Sequence, residues 1–160
     1  MYEVAYDASG SIDPQELGEF YGRLQHETAA TDKQLSRMVE RSAVFVTARV
    51  DERLVGIARG VTDGVRGYLS ECKLDPVYQG PAAVTRRDGR IEHDSYGIAA
   101  EMARRVLEKF QDEGLERVDV LAWGTEVDFL EELGFKRSGG LIALTLRVAE
   151  AAHKTAPTTA

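Results

Sequence analysis

The segment between residues 74 and 99 constrains the fold most strongly, because it contains the two halves of a phosphate-binding turn with other residues between them. Its first half, residues 74–80, has the pattern of a strand end that runs into a glycine-bearing loop. Its second half, Gly97-Ile98-Ala99, begins an amphipathic helix. Together the halves predict a strand, a turn and a helix N-terminus, whose free N–H groups and dipole favour a pyrophosphate. The intervening residues, 81–96, either modify that site or abolish it.

The residues before this segment predict two helices and a run of strands. Asp13 and Pro14 have the pattern of an N-cap and a first helical residue, and apolar residues then follow at helical spacing to Leu24. A second helix is predicted over residues 32–41. Apolar and β-branched residues separated by short turns, one of them with an Asp-Gly pair, predict an antiparallel meander. Its three strands, and a first strand near the N-terminus, are predicted over residues 43–50, 54–61, 65–74 and 2–6.

The residues after the segment predict a long helix followed by a strand, a helix and a strand. Apolar side chains recur at steps of three and four from Ile98 to Phe110, and Gly114 stands where a C-cap glycine is expected. The order of elements predicts an α+β domain over residues 1–148, with a central mixed, mostly antiparallel sheet and helices on both faces. The further elements are predicted as a strand over 117–122, a helix over 125–133, a last strand over 141–148 and a flexible C-terminal tail over 149–160.

Composition excludes several classes of function. The chain has 160 residues, enough for one domain, and a net charge of −7, which disfavours binding to nucleic-acid phosphates. No apolar run approaches the length of a membrane span. The single cysteine, Cys72, fits a reducing compartment, so we expect a cytoplasmic protein with no membrane partner. His26, His93 and His153 lack spacing suited to a metal site, so no metal is expected.

Three motifs occur in order along the chain. Residues 69–76 end a strand with Leu-Ser-Glu-Cys-Lys-Leu-Asp-Pro, and Tyr78-Gln79-Gly80 with Gly97-Ile98-Ala99 form the split glycine loop. Residues 129–135 contain Phe-Leu-Glu-Glu-Leu-Gly-Phe. Together the motifs resemble those of the GNAT superfamily of acyl-coenzyme A-dependent N-acetyltransferases, whose loop is Gln-Gly-x-Gly-x-Gly/Ala and whose ending is Phe-Tyr-Glu-x-Leu-Gly-Phe. The resemblance covers almost the whole chain and implies a GNAT-like fold.

The resemblance implies transfer of an acetyl group from acetyl-CoA to a primary amine of a small molecule or peptide by direct attack. It also implies that the helix start holds the pyrophosphate and that the end of the preceding strand pairs with the pantetheine arm. Glu71 is the candidate base that removes a proton from the amine. The alternative is a sheet-face carboxylate paired with a neighbour such as Lys73 or Arg66. The implied cofactor-binding residues are Cys72, Lys73, Leu74, Gln79, Gly80, Tyr96, Gly97, Ile98, Ala99 and Ala100.

The inserted segment, residues 81–96, departs from the family pattern. Asp88-Gly89 is a strong turn signal between two short arms and predicts a β-hairpin. The segment is also basic, with Arg86, Arg87 and Arg90. These cations predict either a lid that reaches coenzyme A phosphates or an acidic acceptor, or a surface hairpin that lies in water. Asp94 or Ser95 is expected to cap the long helix afresh.

Two further positions differ from the family. Leu130 stands where the family often has the tyrosine that protonates the departing thiolate. The open substitutes for that tyrosine are Tyr68, Tyr78 and Tyr96. Trp123 replaces an asparagine that commonly contacts the pantetheine arm, and it is expected to pack over the cleft or to close the core. With the split loop, these changes leave an alternative function, a catalytically impaired GNAT-fold acyl-CoA-binding or regulatory protein. A homodimer is expected by analogy only.

Overall fold

The computed structural model describes residues 2–24, 28–82 and 88–148, which form a five-stranded sheet with helices on both faces. In chain order the strands are β1 (Ala5–Asp7), β2 (Val44–Val50), β3 (Arg53–Thr62), β4 (Arg66–Leu74) and β5 (Arg117–Asp119). The helices are α1 (Pro14–Arg23), α2 (Asp32–Arg41), α3 (Ile98–Asp112) and α4 (Val127–Glu132), with 3₁₀ turns over Pro76–Tyr78 and Gly124–Glu126. The strands lie side by side in chain order, antiparallel from β1 to β4 and parallel between β4 and β5. The predicted α+β class with a mixed, mostly antiparallel sheet is confirmed.

Short turns set the antiparallel meander of β2, β3 and β4. Asp51 and Glu52 both have left-handed backbone, with φ of 50° and 67°, which suits a tight two-residue hairpin. In the next turn the Asp63 carboxylate accepts hydrogen bonds from the N–H groups of Val65 and Arg66, at 2.8 and 2.9 Å. Such bonds between close neighbours in the chain specify a turn locally. The sequence therefore predicted the meander correctly.

Helix α3 packs closely on one face of the sheet because glycines make room for it. A Cβ added to Gly60 would lie 2.4 Å from Cζ of Phe110, and one added to Gly56 would lie 2.7 Å from Cε of Met102. Both large side chains are buried, together with Val106. A close-packed core has no space for such an addition. These strand glycines therefore determine how near α3 approaches the sheet.

Helices α1 and α2 cover the opposite face. Their apolar side chains form a second core with β2 and β3, which includes Leu17, Phe20, Tyr21, Leu24, Leu35, Phe45, Leu54 and Ile57. Asp13 caps α1 as predicted, since its side chain accepts a hydrogen bond from the N–H of Gln15 at 3.1 Å. Thr31 and Gln34 form a capping box at the start of α2. Packing on both faces fixes β2 and β3 between the two layers of helices.

Strands β4 and β5 pair over only three residues and then separate. Their register runs from Arg66 opposite Arg117 to Tyr68 opposite Asp119. Beyond it, β4 continues to Leu74 against β3, whereas the chain after β5 leads into a 3₁₀ turn and α4. The divergence opens a cleft between the end of β4 and residues 120–123. It also explains why β5 is shorter than the strand predicted over 117–122, because its second half has no neighbouring strand.

Two predicted strands are not formed. Residues 141–147 form neither helix nor strand, and the described arm of the predicted hairpin, residues 90–93, is not a strand either. The first lies beside no strand of the described sheet, and the second is bound by side chains around the cleft. The other hairpin arm, with Arg86 and Arg87, lies outside the described residues, as do His26, His153 and the predicted tail. Within the described ranges, no helix is both long and apolar enough to cross a membrane.

Candidate functional site

The cleft where β4 and β5 separate is the candidate site. It is lined by residues 69–73 of β4 and by Arg90, Val120, Leu121, Trp123, Glu126, Phe129 and Leu130. Its volume is about 120 Å³. Binding pockets for small molecules usually measure about 300–1,000 Å³. In this arrangement the cleft is therefore smaller than a pocket for a nucleotide cofactor, and Arg90 of the inserted segment forms part of its wall.

Gln79 fastens the inserted segment to the end of β4. The residue is 1% exposed, and its Nε2 donates to the carbonyl oxygens of Leu74 and Arg90, both at 2.9 Å. Its Oε1 accepts from the N–H groups of Glu92 and His93, at 3.1 and 3.3 Å. Losing this buried amide would leave several backbone groups without their partner. The glutamine that the motif assigns to the cofactor loop thus has a structural role in this arrangement.

The backbone of the inserted segment lies along the end of β4. The N–H of Leu74 donates to the carbonyl of Gly89 at 2.9 Å, and Nζ of Lys73 donates to the carbonyl of Asp88 at 3.0 Å. Gly89 has a φ of +84°, and an added Cβ would lie 2.6 Å from a leucine side chain at the end of α1. A glycine is therefore required for this close approach. The backbone donor that the resemblance assigns to a pantetheine arm at Leu74 is used within the chain.

Asp94 binds the free N–H groups at the start of α3. Its Oδ1 accepts from Ala99 and its Oδ2 from Ala100, both at 2.9 Å, and its carbonyl accepts from Gly97 at 3.1 Å. Of the two expected caps, Asp94 and Ser95, the structure confirms Asp94. The carboxylate shows that this helix N-terminus accommodates an anion, as the dipole and the free N–H groups favour. It also means that two N–H groups assigned to a pyrophosphate already have a partner.

The two halves of the split loop are in contact. The N–H of Ser95 donates to the carbonyl of Gln79 at 2.9 Å. Gly80 has a φ of +130°, and a Cβ added there would overlap the Ser95 side chain at 2.2 Å from Oγ. Tyr96 is exposed and lies edge-on against a second tyrosine ring, with 5.1 Å between centroids, whereas Ile98 is buried in the core. The two halves of the split loop therefore lie side by side, as the sequence predicts, and the inserted segment is bound next to them.

Glu71 is held on the α1 face of the sheet by partners from two other elements. Nε of Arg59, opposite on β3, donates to its carboxylate at 2.7 Å, and the hydroxyl of Tyr21 donates at 2.9 Å. A register shift beside Arg59 places the two charged side chains directly opposite each other. Burial and the negative charge of Glu71 raise the pKa of the Tyr21 hydroxyl, so it stays protonated. The neighbour that pairs with Glu71 is Arg59 rather than Lys73 or Arg66.

Arg90 reaches into the cleft from the inserted segment. Its guanidinium carbon lies 3.9 Å from the ring centroid of Trp123, within the range of a cation–π contact. Its Nε also donates to the carboxylate of Asp88 at 2.7 Å. Burial opposes ionisation of Asp88, but the bonds from Arg90 outweigh it and lower the pKa of Asp88. The alternative of a solvated hairpin is wrong for Arg90, whose side chain is 15% exposed.

Glu126 is a cleft residue that the sequence reasoning missed. Its Oε2 accepts a hydrogen bond from the N–H of Ile91 at 3.3 Å, and its Oε1 accepts from the N–H of Trp123 at 3.2 Å. It therefore joins the inserted segment to the opposite wall of the cleft. Trp123 is 61% exposed and packs over the cleft rather than closing the core. The available signal in the sequence was the position of Glu126 three residues after Trp123, at the start of a helical turn. That spacing indicates the bond to the N–H of Trp123 but not the bond to the N–H of Ile91.

The described residues that line the cleft include no tyrosine, so Tyr68, Tyr78 and Tyr96 are not among them. Leu130, at the family's tyrosine position, is buried in the cleft. Cys72 lines the cleft on the α3 side, and burial raises the pKa of its thiol.

Solved structures resemble this chain, although no family model and no curated protein matches it. An inferred acetyltransferase from Deinococcus radiodurans R1 is 26% identical, with a TM-score of 0.64 over 94% of this chain and 95% of that one. A GNAT-family acetyltransferase from Streptococcus pneumoniae TIGR4 is 18% identical, with a TM-score of 0.65 over 89% and 98%. An aminoglycoside N-acetyltransferase in complex with CoA is 12% identical, with a TM-score of 0.64 over 92% and 97%.

These similarities extend over nearly the whole of each chain. Because the second and third structures are only 18% and 12% identical to this chain, they show a common fold alone. The three sequence motifs lie on the elements that the resemblance implies, namely the end of β4, the start of α3 and the end of α4. By its fold and by the order of these motifs, the chain is similar to acetyltransferases of the GNAT superfamily.

Proposed function

We propose that this protein is an N-acetyltransferase that moves an acetyl group from acetyl-CoA to a primary amine of a small molecule or peptide. The observation that carries the proposal is the arrangement at the end of β4, where a cleft, an anion-binding helix N-terminus and the Glu71 carboxylate lie around one strand. Acetyl transfer requires a thioester, a phosphate anchor and a base to be held together. The single cysteine suits a reducing compartment, so we place the reaction in the cytoplasm.

The chain offers donors that suit the cofactor. The N–H groups of residues 97–100 would hold the pyrophosphate, since two of them already bind the Asp94 carboxylate. The backbone of Cys72, Lys73 and Leu74 would pair with the pantetheine arm, beside Gly80 and Tyr96 of the loop. The inserted segment uses several of these donors itself, so we infer that residues 88–95 leave them when acetyl-CoA binds.

Glu71 is the proposed base. An amine acceptor arrives as an ammonium ion, and the Glu71 carboxylate takes its proton directly or through one water so that the nitrogen lone pair can attack the thioester carbonyl. The C–N bond forms as the C–S bond breaks, the sulfur leaves with the electron pair, and the second proton of the attacking nitrogen passes to the thiolate or to water. Because an ordinary thiol has a pKa of about 8.5, the sulfur can leave as a thiolate, and Leu130 does not preclude turnover.

Release of free thiol from acetyl-CoA, measured against a panel of amines, tests this function. We expect turnover with at least one amine and a loss of kcat/KM of about 100-fold or more in Glu71→Gln. Glu116→Gln is the matched control, because it removes a carboxylate that lies outside the cleft and forms an exposed ion pair with Arg66. Thiol release that is equal in Glu71→Gln and the unmodified protein would contradict the assignment of the base.

One observation favours a second candidate function. Asp94 and Gly89 already occupy donors that the cofactor needs, as expected of a catalytically impaired protein that binds acyl-CoA or regulates without turnover. Calorimetry with CoA and the thiol-release assay separate the two candidates. Binding of CoA without thiol release by any amine would support the second candidate, and thiol release with a physiological amine would exclude it. A protein that neither binds CoA nor is stabilised by it would contradict both.

A further inference from the structure

Lys73 is the lysine that lines the candidate cleft among the residues that the structure describes. Its side chain is partly buried, and its Nζ donates to the carbonyl oxygen of Asp88 at 3.0 Å. Lys33, Lys109 and Lys136 lie at exposed positions outside the cleft lining. A lysine amine is a nucleophile once it loses its proton. The cleft therefore contains an amine of the chain itself, to which the proposed reaction assigns no part.

The Lys73 amine and the Glu71 carboxylate project from the same face of β4. Residues 71–73 pair regularly with residues 57–59 of β3, and the register shift between the two strands lies beyond Glu71. Because side chains alternate along a regular strand, residues two positions apart share a face. The amine is thus a neighbour of the carboxylate that is proposed as the base.

The partner of the Lys73 amine belongs to the inserted segment. The acceptor of its hydrogen bond is the backbone carbonyl of Asp88, not a carboxylate of the packed sheet. The departure of residues 88–95 on binding of acetyl-CoA, which belongs to the proposed function, removes this acceptor. A partly buried ammonium group without a partner is unfavourable. The amine then has the Glu71 carboxylate beside it on the same face of the strand.

We propose that the protein acetylates its own Lys73, with acetyl-CoA as the donor and the Nζ amine as the acceptor. This inference rests on the proposed function, in which the backbone of Lys73 pairs with the pantetheine arm. The side chain of the same residue is then tethered beside the thioester. Tethering turns a reaction between two molecules into one within a single complex, which raises the effective concentration of the amine. Lys73 is therefore acetylated in preference to the more exposed lysines.

The step is an acyl transfer from sulfur to nitrogen. The Glu71 carboxylate takes one proton from the Lys73 ammonium group, and the lone pair of Nζ attacks the thioester carbonyl carbon. The C–N bond forms as the C–S bond breaks, and the sulfur takes the electron pair. The second proton of Nζ passes to the thiolate or to water. The products are free CoA and an amide that keeps one N–H.

The modification occurs once per chain. The lone pair of an amide nitrogen is delocalised into the carbonyl, so acetylated Lys73 does not attack a second thioester. Self-acetylation therefore stops at one acetyl group at this site. That limit distinguishes it from turnover with a free amine, which continues until the substrate is used.

Mass spectrometry of the purified full chain, incubated with acetyl-CoA and no added amine, tests the inference. The occupancy of each lysine by an acetyl group is measured at isolation and through the incubation. We expect Lys73 to gain its acetyl group at least about 100-fold faster than Lys109, although Lys109 is the more exposed of the two. The rate per molecule should not change with protein concentration. Full occupancy of Lys73 already at isolation, with Lys109 unmodified, would support the inference equally.

Three variants connect the modification to the site. Glu71→Gln should slow acetylation of Lys73 by about 10-fold or more without changing the rate at Lys109. Glu116→Gln is the matched control, because it removes a carboxylate outside the cleft and should leave the rate at Lys73 unchanged. Lys73→Arg keeps a cation at the position and should lose the single fast acetylation in the mass of the intact chain. Circular dichroism identifies the variants that are folded.

The outcomes separate this inference from the proposed function. Thiol release with an amine of the panel, while Lys73 is acetylated no faster than Lys109, would overturn the inference alone. Absence of both thiol release and acetylation at Lys73 would overturn the two together. A rate at Lys73 that is unchanged in folded Glu71→Gln, or that rises with protein concentration, would overturn transfer within the chain.

Discussion

Two carboxylates near β4 are bound in different ways, and the difference distinguishes the fixed part of the site from the part that can change. Glu71 is bound by Arg59 of β3 and Tyr21 of α1, both of which belong to the packed sheet and helix layers. Asp94 is bound by backbone N–H groups of α3, and its segment is attached through Gln79. The place of Glu71 cannot change without disturbing the core. Asp94, by contrast, is bound by backbone N–H groups of a helix start, which suit other anions as well.

Removing the fixed partner should have the largest effect. Arg59→Ala is expected to lower the free energy of unfolding by about 3 kcal/mol, because a largely buried carboxylate then loses its counter-charge. Denaturant unfolding measures this change. Arg66→Ala removes an exposed ion pair with Glu116 and should cost less than about 1 kcal/mol. Similar losses in the two variants would mean that the Glu71 pair is no more fixed than a surface pair.

Removing the attachment of the inserted segment should have the next largest effect. Gln79→Ala is expected to cost about 2 kcal/mol, since it leaves buried backbone groups around the segment without their partner. It should also speed hydrogen exchange at the N–H groups of Glu92 and His93. Gln111→Ala, at an exposed position of α3, is the control. Slow exchange that persists in Gln79→Ala would show that other contacts hold the segment.

Removing the charge of Asp94 should change stability and affinity in opposite directions. Asp94→Asn weakens the cap of α3 and is expected to cost about 1 kcal/mol, yet CoA should bind about 10-fold more tightly because the competing anion is gone. Thermal unfolding and calorimetry measure the two effects. Asp13→Asn, which alters the cap of α1, should lower Tm without changing CoA affinity. Loss of both stability and CoA affinity in Asp94→Asn would mean that Asp94 acts only as a cap.

The smallest expected effect concerns the ion pair within the inserted segment. The pKa of Asp88 is lowered in the folded protein, so its contribution is present above the ordinary aspartate pKa of about 3.9 and is lost as the pH falls through the folded value. Asp88→Asn should therefore be less stable than the unmodified protein at pH 7, by less than about 1 kcal/mol, and the difference should shrink on acidification. Unfolding midpoints across this pH range measure it. A difference that grows as the pH falls would contradict this explanation.

The sequence by itself determined the features whose causes are local. The Asp63 turn, the Asp13 cap and the Asp94 cap each join groups no more than six positions apart. The apolar face of α3 and the glycine-containing meander are likewise predicted by patterns within single elements. Because backbone preferences and short-range hydrogen bonds specify these features within short stretches of chain, the class of the fold and the location of the split loop could be predicted.

Only the tertiary structure decided which groups meet in the site. Tyr21 and Glu71 are 50 positions apart, and Ile91 and Glu126 are 35 apart. Such pairs depend on strand register and on the docking of helices, which local patterns do not encode. Residues 141–147 show the same dependence, because their sequence predicts a strand and the structure forms none there. A strand exists only where a sheet edge accepts its N–H and C=O groups.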